Sequence, residues 1–242
     1  RLYYDPAKRY VPWTKADKTL MSNSPPAAAW HNPYNTSEGT RNLTADTFLQ
    51  LGNWVDNWGN PNYLYLTYYP ATYYRWNGSG TLAGPEDVNN LAANFTKVEI
   101  RTGNTYAKGA DRTDCIANAT TCNYTEEIQN FANWYSYYRS RILMARAGVG
   151  QAFAEVGSEP RIGFGSINHS SATIDNVSSP GTIASGVRKF DASGRASFYA
   201  ALYGQPMTCT GTPLRQALDD VGVYFSRTDD RGPWGTYPGT GG

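Results

Sequence analysis

"EEIQNFANWYSYYRSRILMARAGVGQAFAEVGSEPRIGFGSIN" occupies residues 126–168 and holds the transition on which the fold turns. Apolar positions recur at Ile128, Phe131, Tyr135, Tyr138, Ile142, Ala145, Val149, Ala152 and Val156, spaced by threes and fours. That spacing predicts one long amphipathic helix. Asn123 and Glu126 stand at capping-box separation, Thr125 is an alternative cap, and Gly157 followed by Pro160 supplies the stop. "RIGFGSIN" (161–168) then reads as a strand whose glycines admit a close neighbour.

Downstream, "GVRKF" (186–190) reads as a second strand, "ASGRASFYAALYG" (192–204) as a short helix, and "TPLRQALDDVGVYF" (212–225) as another with Pro213 in its first turn. Helix, strand, strand, helix, helix is part of a three-layer α/β sheet. Upstream of residue 125 the chain changes character, to short aromatic runs broken by Pro, Gly and Asn. "YLYLTYY" (63–69) alternates, with Tyr63, Tyr65 and Tyr69 facing one way and Leu64, Leu66 and Tyr68 the other. "TYYRW" (72–76) and "FTKVEIRT" (95–102) read as further strands, the latter with Thr96, Val98 and Ile100 on the buried side, and "NGSG" (77–80) as a turn. "TADTFLQLGNWVDNW" (44–58) reads as a short helix capped by Thr44 or Asp46. The chain is thus divided into a β-rich part, 1–125, and a helix/strand part, 126–242.

The 242 residues suffice for a full hydrophobic core. A net charge of +1, with both signs mixed along the chain, gives no electrostatic footprint for nucleic acid or an anionic membrane. No apolar run is long enough to span a bilayer, so membrane insertion is not expected. "RLYYDPAKRY" (1–10) has no signal-peptide core, and the sequence reads as a piece of something longer. The 19 Tyr, abundant Asn, Thr, Gly and Ser, and low charge suit an extracellular β-rich surface.

Cys115 and Cys122 lie seven apart in "DCIANATTC", where a metal would want further Cys or His close by, so a local disulfide is the favoured reading. It would stabilise by about 2.5 kcal/mol in the chain-entropy model. Cys209 then has no obvious partner. Eight sequons, at Asn35, Asn42, Asn77, Asn94, Asn118, Asn123, Asn168 and Asn176, fit either a glycan coat or a chance product of an Asn- and Thr-rich chain.

His31 and His169 sit apart in polar loops and read as surface residues. Glu126 and Glu127 suit a helix dipole, Asp219 and Asp220 lie mid-helix, and Asp229 and Asp230 are turn residues. Asp191 in "DASGR" (191–195) starts like a metal motif, but Arg195 stands where a second serine is needed, and an Asp at a helix start is a cap. No nucleophile elbow, phosphate loop or zinc-protease helix is present. A secreted hydrolase would need a cleft with two carboxylates that the sequence does not advertise. Trp54, Trp58, Tyr68, Tyr69, Tyr73, Tyr74 and Trp76 could form a ligand surface, since such rings stack on sugars or anchor interfaces; the competing reading is half-buried sheet packing.

"LYYDPAKRYVPW" (2–13), "NPYNTSEGTRNLT" (32–44), "YYPATYYRW" (68–76), "FTKVEI" (95–100), "NFANWYSYYRSRILMARAGVGQAF" (130–153), "RIGFGSIN" (161–168) and "GTPLRQALDDVGVYF" (211–225) together resemble the PilY-type adhesins of bacterial type IV pili. The resemblance implies a von Willebrand factor A-like (Rossmann-like) α/β fold, incomplete here, carrying a large β-rich aromatic insertion. It implies a metal-ion-dependent adhesion site, of which Thr212 is the only ligand carried over, with Mg²⁺ or another divalent cation as cofactor. The Asp-x-Ser-x-Ser ligands are expected before Arg1 and the last Asp after Gly242, so residues outside the chain are expected to complete the sheet. The resemblance further implies a non-enzymatic protein at the bacterial cell surface, on the pilus tip, with minor pilins and a host or abiotic surface ligand as partners. The alternative is a carbohydrate-binding module that uses the aromatic insertion without metal.

Overall fold

The computed structural model describes residues 3–77, 94–167, 172–174, 177–179, 182–206 and 211–236. Gly78–Gly80 of the expected turn, Cys209, His169, and the sequons at Asn168 and Asn176 lie outside the described residues. The fold is mixed α/β and divides into two compact units, Arg1–Pro12 with Ser22–Arg141, and Trp13–Met21 with Ile142–Gly242.

The first unit holds β1 (Ala29–Trp30), β2 (Thr40–Arg41), β3 (Thr47–Val55), β4 (Pro61–Tyr68), β5 (Thr72–Trp76), β6 (Phe95–Glu99), β7 (Thr105–Ala107), β8 (Thr121–Asn123) and α1 (Tyr124–Tyr137). Each strand pairs antiparallel with its neighbour in sequence: β1 with β2, β3 with β4, β5 with β6, β7 with β8. Residues 44–58 are therefore a strand and a turn, not the expected helix. Thr, Phe, Trp and Val favour an extended chain, and "PNYLYLTY" across a five-residue turn offers a partner in register. Neither expected cap serves a helix: the Thr44 hydroxyl donates to Asn42, and Asp46 pairs with Arg101.

The core gathers Leu43, Tyr69, Ile100, Tyr106, Ile128 and Phe131 around α1, with the disulfide Cys115–Cys122 inside it. The helix starts at the expected capping box: the Asn123 side chain accepts from the Glu126 amide and Glu126 accepts from the Asn123 amide. Its buried face includes Glu127, Asn130, Asn133 and Ser136. Asn130 accepts the Tyr10 amide at 2.7 Å and donates to the Lys8 carbonyl at 2.9 Å. Asn133 donates to the Tyr10 carbonyl and accepts the Ser24 amide, while Tyr137 and Tyr138 donate to the Ser22 and Val11 carbonyls. An irregular segment thereby has its backbone groups paired without strand partners.

The predicted long helix breaks at Tyr138, where φ is −137°. Arg139 explains the stop: its guanidinium donates to the carbonyls of Tyr135, Trp30 and His31 and lies over the Tyr135 ring, 4.3 Å from the centroid. A cation on the last free carbonyls ends a helix favourably.

The second unit holds α2 (Arg141–Ala154, whose first residue belongs to the first unit), β9 (Arg161–Gly165), β10 (Ala172–Ile174), β11 (Val177–Ser179), β12 (Ile183–Lys189), α3 (Ala192–Gly204) and α4 (Leu214–Phe225). β9 pairs antiparallel with β12, and β10 with β11. Phe198 packs edge to ring with Phe164 of β9 and with Phe190 and lies tilted against Phe153, seating α3 on both long strands. The Tyr224 hydroxyl accepts the Val187 amide at 2.8 Å and fixes α4 on β12. Trp13 is buried and stacks on Tyr203 at 4.7 Å, whose hydroxyl donates to the Thr14 carbonyl. All six sheets among the described residues are two-stranded and antiparallel.

Candidate functional site

Among the described residues, the β3–β4 hairpin gathers a dense run of exposed large apolar side chains. Its turn is tightly built: Asp56 accepts the amides of Trp58 at 2.9 Å and Asn60 at 2.8 Å, and Gly59 takes the positive φ, 84°, that the reversal requires. A bulge at Leu51 shifts the register between Gln50 and Gly52. Neither strand contains a charged residue. The two strands pack on each other and on no other element to a comparable extent.

The register sorts side chains into two unlike faces. One carries Phe48 opposite Thr67, Gln50 opposite Tyr65, and Asn53 opposite Tyr63. Phe48 and Tyr65 meet edge to face at 5.4 Å, and Tyr63 and Tyr65 are 6.1 Å apart. The other carries Leu49 opposite Leu66, Gly52 opposite Leu64, and Trp54 opposite Asn62. Phe48, Leu49, Trp54, Tyr63, Leu64, Tyr65 and Leu66 are all exposed.

The aromatic residues singled out from the sequence do not converge. Trp54 lies on the leucine face and Trp58, at 85% exposure, on the turn. Tyr68 is half-buried at the hairpin base, and Tyr69 is core, its hydroxyl donating to the Ile100 carbonyl. Tyr73 packs against Tyr4 at 5.3 Å, and desolvation pushes its hydroxyl up to about 12. Tyr74 and Trp76 are exposed on β5. The expected alternation of Tyr63 and Tyr65 against Leu64 and Leu66 is present. Phe48, Gln50 and Asn53 were missed because their segment read as a helix; the strand-turn-strand symmetry about "DNWGN" (56–60) was the signal that could have found them.

Thr212 is exposed just before α4, which has no side-chain cap. Among the described residues no three of His, Cys, Asp and Glu gather as a cation site. One threonine hydroxyl does not by itself hold a hard divalent cation, which takes six or more oxygens. The residues present therefore do not fit a metal on their own. Asp191 caps α3 by accepting the Gly194 amide at 3.0 Å. Asp220 accepts from Thr182 at 2.6 Å and Gln216 at 2.9 Å, and these bonds hold its carboxyl below the usual range. Asp229 pairs with Arg227, and His31 lies near the Glu38 carbonyl. Glu127, read as a dipole partner, is instead fully buried against Arg112.

Neither a protein-family profile nor a solved structure matches the chain. Curated relatives do. The chain is 29% identical over 248 aligned positions, 99% of its length, to the type IV pilus biogenesis factor PilY1 of Pseudomonas aeruginosa strain PAK. It is 36% identical over 118 residues, 48% of its length, to PilY1 of strain PAO1, and 33% identical over 101 residues, 42% of its length, to PilY1 of strain UCBPP-PA14. It spans 19%, 10% and 8% of those three proteins. The resemblance to PilY-type proteins carried by the sequence segments is thus shown along nearly the whole chain, which corresponds to a portion of such a protein.

Proposed function

We propose that this chain belongs to a non-enzymatic pilus-tip adhesin and assembly factor, acting at the bacterial cell surface with minor pilins and binding host or abiotic surfaces. The observation that carries the reading is the 29% identity to a type IV pilus biogenesis factor along 99% of the chain. The described helices include none long and apolar enough to cross a membrane.

Within that role the second unit is read as part of a von Willebrand factor A-like domain. Support comes from its order: a helix, β9, the antiparallel β12, then α3 and α4 with Thr212 at the head of the last helix. Residues 1–125 are then the aromatic insertion and 126–242 the helix/strand part of that domain. Thr212 would add one hydroxyl to a Mg²⁺ site whose carboxylates come from outside the described residues. When bound, the cation would offer an open position to an acidic ligand side chain. The chain's own contribution is to hold α4, the helix that follows Thr212, beside β12 through Tyr224 and the Thr182–Asp220 bond.

The test uses the full-length protein carrying this chain. Immunogold labelling is expected at pilus tips, and calorimetric Mg²⁺ binding is expected to weaken by about tenfold or more in Thr212→Ala. Label spread through the cell interior would refute the placement, and unchanged Mg²⁺ affinity would refute the role of Thr212.

A further inference from the structure

We propose that the Phe48–Tyr65–Tyr63 face of the β3–β4 hairpin is a binding platform for a neutral oligosaccharide. The inference is independent of the Thr212 metal reading. A two-stranded hairpin standing alone is marginal in water, and exposed rings add an aggregation liability, so a chain that keeps both has a use for the surface.

The composition of the face identifies the occupant. Rings alternate with uncharged polar side chains: Gln50 lies beside Tyr65, Asn53 beside Tyr63, and Thr67 beside Phe48. The Gln50, Asn53 and Thr67 side chains are exposed and make no hydrogen bond to any described residue. The fold spends its other local amides differently. Asn60 and Asn62 donate within the turn, to Asp56 and to the Asn60 carbonyl. A pyranose offers an apolar C–H face that stacks on a ring and a rim of hydroxyls that pair with amides, which matches rings and amides side by side.

Other occupants match less well. A nucleic acid or an anionic polysaccharide would need cations, and neither strand has one. A purely apolar partner, including a second copy of the hairpin, fits the Leu49, Leu64 and Leu66 face, but would leave the Gln50 and Asn53 amides desolvated and unpaired on this one. Insertion into a bilayer would strip water from the free strand edges.

The experiment titrates the full-length protein with cellohexaose and chitohexaose by calorimetry, in EDTA. Binding of at least one of them is expected. Tyr65→Ala and Tyr63→Ala should each weaken it by about tenfold or more, and Gln50→Ala by about threefold or more. Tyr65→Phe should retain most of the affinity, and Leu66→Ala on the opposite face should leave it unchanged. Unchanged near-ultraviolet circular dichroism shows that each variant is folded. The proposal is overturned if wild type binds neither sugar, or if Leu66→Ala loses as much as Tyr65→Ala. Sedimentation showing that Tyr65→Ala abolishes self-association while sugar binding persists unchanged would also overturn it, in favour of a second copy as the occupant. Because EDTA is present throughout, failure here leaves the metal reading untouched.

Discussion

Arg112 and Glu127 meet 2.5 Å apart with both side chains entirely buried. The ion pair joins the 108–117 loop to the first turn of α1, and Tyr4 adds the N-terminal segment by donating to Glu127 at 2.8 Å. Burial pushes the Glu127 carboxyl up, against the opposing pull of Arg112 and the Tyr4 hydroxyl. Asp114 also accepts from Arg112 at 3.0 Å, and the Pro6 carbonyl accepts at the same distance. Removing Arg112 leaves the Glu127 charge buried without a cation, which costs about 3–5 kcal/mol, whereas removing Glu127 leaves Arg112 paired with Asp114 and should cost less. Arg112→Ala should shift the urea midpoint accordingly, and Glu127→Ala should shift it by less. For Arg112→Ala a shift below about 1 kcal/mol, the range of surface pairs, would show that water reaches the site.

Glu126 ties the disulfide loop to the helix start. Its carboxylate accepts the amides of Ile116 at 2.7 Å, Ala117 at 2.9 Å and Asn123 at 2.8 Å. Burial raises its pKa, but those three amides outweigh burial and hold it below the ordinary 4.5. A depressed folded-state pKa means the unfolded chain takes up the proton first. The contribution is therefore present above the usual carboxylate range and lost as pH falls through the lowered value. Between pH 6 and about 3, wild type should lose stability relative to Glu126→Gln, whose residue does not titrate. Parallel stability curves for the two proteins would contradict this.

Breaking the Cys115–Cys122 link removes a constraint on a short loop. Cys115→Ala with Cys122→Ala should lower stability by about 2.5 kcal/mol, and reduction of wild type should match it. Denaturation midpoints measured with and without dithiothreitol check this, and an insensitive midpoint would argue against a bonded pair.

Gly150 of α2 faces Tyr199 and Tyr203 of α3. A Cβ placed there would run into the Tyr203 hydroxyl and stand 3.2 Å from the ring carbon bearing it. Gly150→Ala should cost about 1–3 kcal/mol by overpacking. Tyr203→Phe removes the nearest atom, so the double variant should be less destabilised than the sum of the two singles. Strict additivity would mean that the helices move apart instead.

Periodicity made the elements legible where a segment's own pattern decides its state. The strands at 61–68, 72–76 and 95–99, the helices at 192–204 and 214–225, and the capping box at Asn123 and Glu126 all follow from local spacing. What escaped depends on partners distant in sequence. Residues 47–55 have enough helix-period apolar positions to mislead, and only pairing with 61–68 makes them a strand. The apolar period runs straight through Tyr138, yet Arg139 reaches carbonyls more than a hundred residues away and ends the helix. Asn130 and Asn133 serve the backbone groups of Lys8, Tyr10 and Ser24, partners that no local pattern shows.

The candidate platform follows the same division. Tyr63 and Tyr65 on one face were readable from alternation alone. Gln50 and Asn53 beside them were not, because a bulge at Leu51 sets which β3 residues share that face.

Removing residues 1–242 in frame from the full-length gene, in a bacterium that makes type IV pili, tests the pilus role most directly. Surface pili counted by electron microscopy, and twitching zones on agar, should both fall to the level of a strain lacking the whole gene. Normal pilus number and normal twitching, with the shortened protein still produced, would contradict it.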